Sequence, residues 1–211
     1  MSNIITITNV LGSFATNCYT VANTETREAI IVDPAAKASF LIQMYGNQNL
    51  KPVAVLLTHG HFDHIGALPE LKEAFPDIRV YACDEEQSVL ESKEVNLSEA
   101  FGHAVTVAAD EYLHDMDEIT LLGQRIKCFH VPGHTKGGMC YYFETEKMVF
   151  SGDTLFAGSI GRSDFPTGDE AALLKGIRDK LFSLPEDVTV YPGHNSRTTI
   201  KREKDTNPYF M

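Results

Sequence analysis

The chain has 211 residues, is 43% hydrophobic and 22% charged, and carries a formal net charge of −11. That is enough ordinary globular sequence to bury a core, expected here as one domain over residues 1–211. The acidic balance disfavours a nucleic-acid backbone as main partner, since phosphate is bound by Lys and Arg, and no apolar run nears the roughly 20 residues that span a bilayer. The first residues, Met1-Ser2-Asn3-Ile4, lack the basic and apolar regions of a secretion signal. Cys18, Cys83, Cys128 and Cys140 form no CxxC pair. Both features point to a cytoplasmic protein with reduced, buried thiols. Acidic runs such as Asp84-Glu85-Glu86 are expected on a solvated face.

Along the chain, residues 4–8, 18–21 and 29–32 are rich in β-branched side chains between Asn, Gly and Thr turns, and predict three strands. Residues 39–45 predict a short helix, 53–57 a strand, 66–75 a helix ending at Pro76, 78–82 a strand and 85–93 a helix. Residues 94–116 predict loop with a short strand, placed to cover a site. The second half predicts strands at 119–122, 126–131, 139–143 and 148–150. A helix follows over 170–184 with apolar residues at helical spacing, then a strand at 188–191 and a helical tail from Ser196 to Asn207. Many strands and few helices predict two packed sheets with helices on the outer faces.

Four of these strands end alike. Val53–Leu57 runs into Thr58-His59-Gly60-His61-Phe62-Asp63-His64; the others run into Pro132-Gly133-His134, Ser151-Gly152-Asp153 and Pro192-Gly193-His194. Gly permits a tight turn and a close backbone approach, and strand C-termini are where α/β sheets place their sites. Three imidazoles and a carboxylate within six positions are costly to bury without a partner, and a divalent cation pairs with all of them. The candidates are His59, His61, Asp63, His64, His134, Asp153 and His194. Seven N and O donors exceed one tetrahedral site and suit two ions with a shared carboxylate, leaving room for water. Zinc is the first expectation, with iron or manganese admissible. His103, His114 and His130 lie outside the pattern and read as structural or surface residues.

The ordered set Thr-His-x-His-x-Asp-His, Pro132-Gly133-His134-Thr135, Ser151-Gly152-Asp153-Thr154 and Pro192-Gly193-His194 resembles the metallo-β-lactamase superfamily. Gly161-Arg162-Ser163-Asp164-Phe165 and the tail from Thr198 to Pro208 narrow the likeness to its glyoxalase II-like branch, in the short bacterial form. The resemblance spans about residues 4–208. It implies an α/β fold, a four-layer αβ/βα sandwich of two mixed sheets flanked by helices, with a dinuclear site at one edge. It places His59, His61 and His134 on the first metal, Asp63, His64 and His194 on the second, and Asp153 between them. It also implies that Asp33 supports the ligand shell through hydrogen bonds and that Arg162 contacts substrate. The sequence departs from glyoxalase II in two ways: it stops three residues after Pro208, where the longer form continues into a helical extension, and Ser196 stands where that enzyme has a tyrosine.

The expected reaction is hydrolysis of a small-molecule thioester, glutathione-derived in glyoxalase II, to a hydroxy acid and a thiol. Asp63 and Asp153 would act with a metal-bridging hydroxide, the pKa of the bridging water falling from 15.7 to about 7. A thiolate of pKa about 8.5 can leave without a general acid, and the motifs offer no spare acid. The rival within the same fold is a mononuclear-iron persulfide dioxygenase using His59, His134 and Asp153. An intact Asp63 argues against β-lactamase activity.

Overall fold

A computed structural model describes residues 3–211. Strands β1 (Ile4–Leu11), β2 (Thr16–Asn23), β3 (Glu28–Val32), β4 (Lys51–Leu56), β5 (Arg79–Cys83) and β6 (Glu111–Leu113) form one sheet in that order. The first three are antiparallel neighbours, and β3 to β6 run parallel. The second sheet has the order β14-β13-β10-β9-β8-β7, from β7 (Glu118–Leu121), β8 (Gln124–His130), β9 (Met139–Phe143), β10 (Met148–Gly152), β13 (Thr189–Pro192) and β14 (Thr198–Thr199). Only β10 and β13 pair in parallel there. A small hairpin of β11 (Leu155–Phe156) and β12 (Ser159–Ile160), absent from the sequence expectation, projects beside the second sheet.

The period-2 alternation of the strands sorts side chains into three apolar layers. Ile31 faces outward with Leu41 and Tyr45 of α1 (Ala38–Asn47) and Leu68 and Leu71 of α3 (Leu68–Ala74). Its neighbours Ile30 and Val32 face the other sheet, where they join Tyr141, Phe143 and Phe150. Val149, between the inward Met148 and Phe150, turns outward onto Leu173 of α5 (Glu170–Gly176) and Ile200 of α6 (Ile200–Thr206). Each large side chain buried in these layers contributes roughly 1.5–3 kcal/mol. The result is helix, sheet, sheet, helix, as expected. The four cysteines are free and buried, and burial pushes each thiol up to about 12. Among the described residues no helix is long and apolar enough to cross a membrane.

Three helical expectations change. In place of a helix over 85–93 there is a 3-10 turn at Asp84–Glu86 and a single turn, α4 (Gln87–Leu90). The carbonyl of Leu90 accepts from the Val107 N–H of the covering loop, which ends the helix early. Over 170–184, α5 starts where predicted, capped by Asp169 accepting from the Ala172 N–H at 3.0 Å. It then widens into a π-turn at Ile177–Leu181, in which the Phe182 N–H reaches the Ile177 carbonyl. The tail begins not as helix but as β14, paired on β13; only then does α6 start, capped by Thr199.

Candidate metal centre

The C-terminal ends of β4, β8, β10 and β13 and the loops that follow them meet at one edge of the two sheets. After β4 the chain makes an extended turn through His59 to His61 and enters the one-turn helix α2 (Phe62–Ile65), which carries Asp63 and His64. Two glycines make the convergence possible. Gly152 has φ +50°, and a Cβ there would collide with Thr58 Oγ1. A Cβ at Gly193 would collide with Asp153 Oδ1. All seven sequence-predicted donors are brought together. Donor atoms of His59, His61 and His134, of His59, His64 and Asp153, and of Asp63, His64 and His194 lie within 4.8 Å of one another in each group.

Hydrogen bonds behind the rings set which nitrogen is left free. His64 Nδ1 donates to Asp33 Oδ2 at 2.9 Å, His134 Nδ1 to the Arg162 carbonyl at 2.7 Å, and His194 Nδ1 to the Phe14 carbonyl at 3.1 Å. His59 Nδ1 lies 3.2 Å from Thr58 Oγ1, whose own hydrogen goes to Asp33 Oδ2 at 2.7 Å. Nε2 of each of these rings is therefore the atom turned into the cluster. His61 reverses the pattern, with Nδ1 2.9 Å from His134 Nε2. Asp153 faces both halves: Oδ1 is 3.5 Å from His64 Nε2, and Oδ2 is 3.7 Å from His134 Nε2 and 3.5 Å from His194 Nε2. Asp63 Oδ2 lies 3.3 Å from His194 Nε2 and accepts from Thr16 Oγ1 at 2.8 Å.

This donor set fits a bound cation. His59 Nε2, His61 Nε2, His64 Nε2 and Asp153 Oδ1 are buried without any hydrogen-bond partner. Buried polar atoms are ordinarily satisfied, and four orphans among the seven gathered donors match what a divalent ion needs.

The electrostatics divide the cluster. Burial, with repulsion from neighbouring rings, holds His59 well below the usual imidazole range and takes His61 down to about 3; His134 is lowered by burial as well. For His64 burial also pulls downward, but Asp63, Asp33 and Asp153 outweigh it and raise the ring to about 10. His194 is raised against its burial by Asp63 and Asp153. Burial would raise the Asp63 carboxyl, yet His64, His194 and Thr16 bring it well below the carboxylate range.

Asp33 accepts from the Thr58 N–H at 2.8 Å as well as from Thr58 Oγ1 and His64, tying β3 to the histidine loop. Glu86 was not singled out by the sequence and corrects the expected solvated face. Glu85 is exposed, but Glu86 is only 1% exposed. Its carboxylate accepts from the Gly60 N–H at 2.7 Å, Thr135 Oγ1 at 2.9 Å and the Gly137 N–H at 2.8 Å. It thereby clamps the loop of His59 and His61 to the loop of His134. Burial lifts its pKa to about 7 against the pull of those three donors. The one available signal is helical spacing: Glu86 shares a face with the buried Val89 and Leu90.

His114 and His130 stand outside the cluster, His114 on Asp84 and Asp117 and His130 on the Lys136 carbonyl; His103 is exposed. Ser196 is exposed and does not line the cleft above the donors. Arg162 does line it. That cleft holds about 310 Å³.

The donor cluster at the open edge of a four-layer sandwich defines a class, and the family model for the metallo-beta-lactamase superfamily matches residues 11–194. The chain belongs to that superfamily, whose hydrolase fold carries this histidine and aspartate cluster. Among individual proteins it is 36% identical to hydroxyacylglutathione hydrolase GloC of Haemophilus influenzae, over 93% of each chain. It is 40% identical to a solved structure described as BLEG-1 B3 metallo-beta-lactamase, covering 98% of this chain and 100% of that one, with a TM-score of 0.93. It is 35% identical to TTHA1623, solved in a di-iron-bound form, covering 96% and 99% with a TM-score of 0.86.

Proposed function

We propose that this protein is a two-metal thioester hydrolase. His59, His61 and His134 would hold one ion, Asp63, His64 and His194 the other, and Asp153 would serve both. When bound, such a pair supplies a Lewis acid and a nucleophile at neutral pH. Zinc is the proposed metal; the di-iron form of TTHA1623 makes iron the competitor.

The observation that carries thioester over amide is the lack of a spare acid. Apart from the proposed metal donors, the only polar residues lining the cleft among the described residues are Arg162 and Asn195, and neither delivers a proton at neutral pH. Glu86 is occupied by three donors behind the loops and does not line the cleft. In the proposed reaction the oxygen of water adds to the acyl carbon: a C–O bond forms, C–S breaks with its electron pair leaving on sulfur, and a carboxylate and a thiolate depart while both protons of the water pass to solvent. A thiolate of pKa about 8.5 departs unprotonated, whereas an amine would need a donor. Thr16 donates to the Asp63 carboxylate, and the carbonyls of Arg162 and Phe14 hold two rings in one tautomer. Arg162 would contact substrate at the cleft. The likeness to GloC supports this reading.

A second reading, β-lactam opening, is favoured by the likeness to BLEG-1, and it tempers the argument from an intact Asp63. Metal analysis with a panel of S-lactoylglutathione, thioesters of other thiols and a β-lactam decides. Thioester turnover with two metals per chain is expected; β-lactam turnover without thioester turnover would overturn it. One iron per chain with oxygen uptake would instead favour the dioxygenase.

A further inference from the structure

Apart from the proposed metal donors, the described residues that line the cleft are apolar except for Arg162 and Asn195. One wall is a trio of rings from three separate segments: Phe14 from the β1–β2 hairpin, Phe62 from the histidine loop and Phe101 from the covering loop. Phe62 and Phe101 stack at 4.8 Å between centroids, and Phe14 meets them edge-on at 5.2 and 5.1 Å. Phe62 is buried, but Phe14 and Phe101 are 43% and 48% exposed. Two large rings held half in water beside a reaction site cost free energy that a ligand ring or branched chain would recover.

The loop holding Phe101 is fixed. The Asn96 carbonyl accepts from the Phe62 N–H at 3.0 Å. The buried Asn96 side chain bonds the Val105 carbonyl and the Ser98 N–H. The wall is therefore preorganised, and it reduces the ordering cost of binding.

Charge on the other side does not favour an anion. The Arg162 guanidinium is forked onto Asp164 at 2.9 and 2.8 Å and lies 4.3 Å over the Phe165 ring. Its positive charge is thus met by a carboxylate two residues away, and among the described residues no other Lys or Arg lines the cleft.

We propose that the Phe14–Phe62–Phe101 wall sets specificity, selecting substrates with an uncharged aromatic or branched apolar group next to the scissile bond. The proposal rests on the hydrolase reading for its turnover test but not for its binding test. In the binding test, protein loaded with cobalt(II) is titrated with benzyl mercaptan and with glutathione, followed by visible absorbance. Benzyl mercaptan is expected to bind more tightly, and Phe101→Ala or Phe14→Ala to weaken it roughly tenfold relative to glutathione. Equal or tighter binding of glutathione, or no change in either variant, would overturn the proposal.

The turnover test uses two series, one varying the acyl group on a fixed thiol and one varying the thiol under a fixed acyl group. The series whose aryl preference falls roughly tenfold in Phe101→Ala shows which arm meets the wall. Met116→Ala, 61% exposed and outside the cleft, is the control for the ratio. A ratio unchanged by Phe101→Ala in both series counts against the proposal. If no thioester turns over, the hydrolase reading fails while the binding result still decides the wall.

Discussion

His59, His61 and His134 form an all-imidazole trio, whereas His64 and His194 sit among the carboxylates of Asp33, Asp63 and Asp153. Burial and mutual repulsion keep protons off the trio, so its lone pairs stand ready at neutral pH. In the other half the carboxylates of Asp63, Asp33 and Asp153 outweigh burial and raise His64, favouring its protonated form. A cation entering there must displace a proton, whereas one entering the trio need not. The supports differ too: Glu86 braces the loops of the trio, whereas Asp33 holds His64 directly and reaches His59 only through Thr58.

The largest expected effect comes from the one residue that serves both halves. Asp153→Ala should lower thioester kcat/KM by about 10²–10³-fold or more and reduce the metal content towards one per chain, read by elemental analysis. Full turnover with one metal would end the two-metal reading. Asp33→Asn removes the carboxylate behind His64 and should weaken one metal-binding step by about 10–100-fold. The step more affected should be the one assigned to Asp63, His64 and His194, where Asp33 acts directly and not through Thr58, distinguished by titrating metal into the apoprotein. Equal weakening of both steps would erase the distinction between the halves.

Glu86→Gln should have the smallest effect on the site, a loss of about tenfold in affinity confined to the trio. It also carries a pH signature. The folded-state pKa of Glu86, about 7, exceeds the ordinary glutamate value of 4.5. The folded state therefore binds the proton more tightly, and this group's contribution to stability is complete below about pH 4.5 and lost as pH rises through 7. Urea unfolding of the apoprotein at pH 5 and pH 8 should show the wild type losing more stability over that interval than Glu86→Gln. Parallel curves would remove Glu86 from the account.

The strand-end motifs made all seven candidate donors legible, because an apolar run followed by Gly and His or Asp is a local pattern that needs no knowledge of the rest of the chain. The four layers were legible for a similar reason, since period-2 strands and the apolar face of α5 state which side is buried. Other features lay beyond local pattern. Glu86 reads as one of three acidic residues in a row, and only its neighbours Gly60 and Gly137, 26 and 51 positions away, make it a buried clamp. The length of α4 was set by Val107 taking the carbonyl of Leu90, and the π-turn after α5 likewise follows from packing, not from propensity.

By itself the sequence determined the donor types and the layer order, because hydrophobic period and turn chemistry act between near neighbours. The tertiary structure decided which nitrogen of each ring faces inward, how the charge is divided between the two halves, and that three phenylalanines from distant segments stand as one wall. Those depend on contacts such as His61 with His134, 73 positions apart, and no local pattern encodes which distant carbonyl or carboxylate will lie behind a given ring.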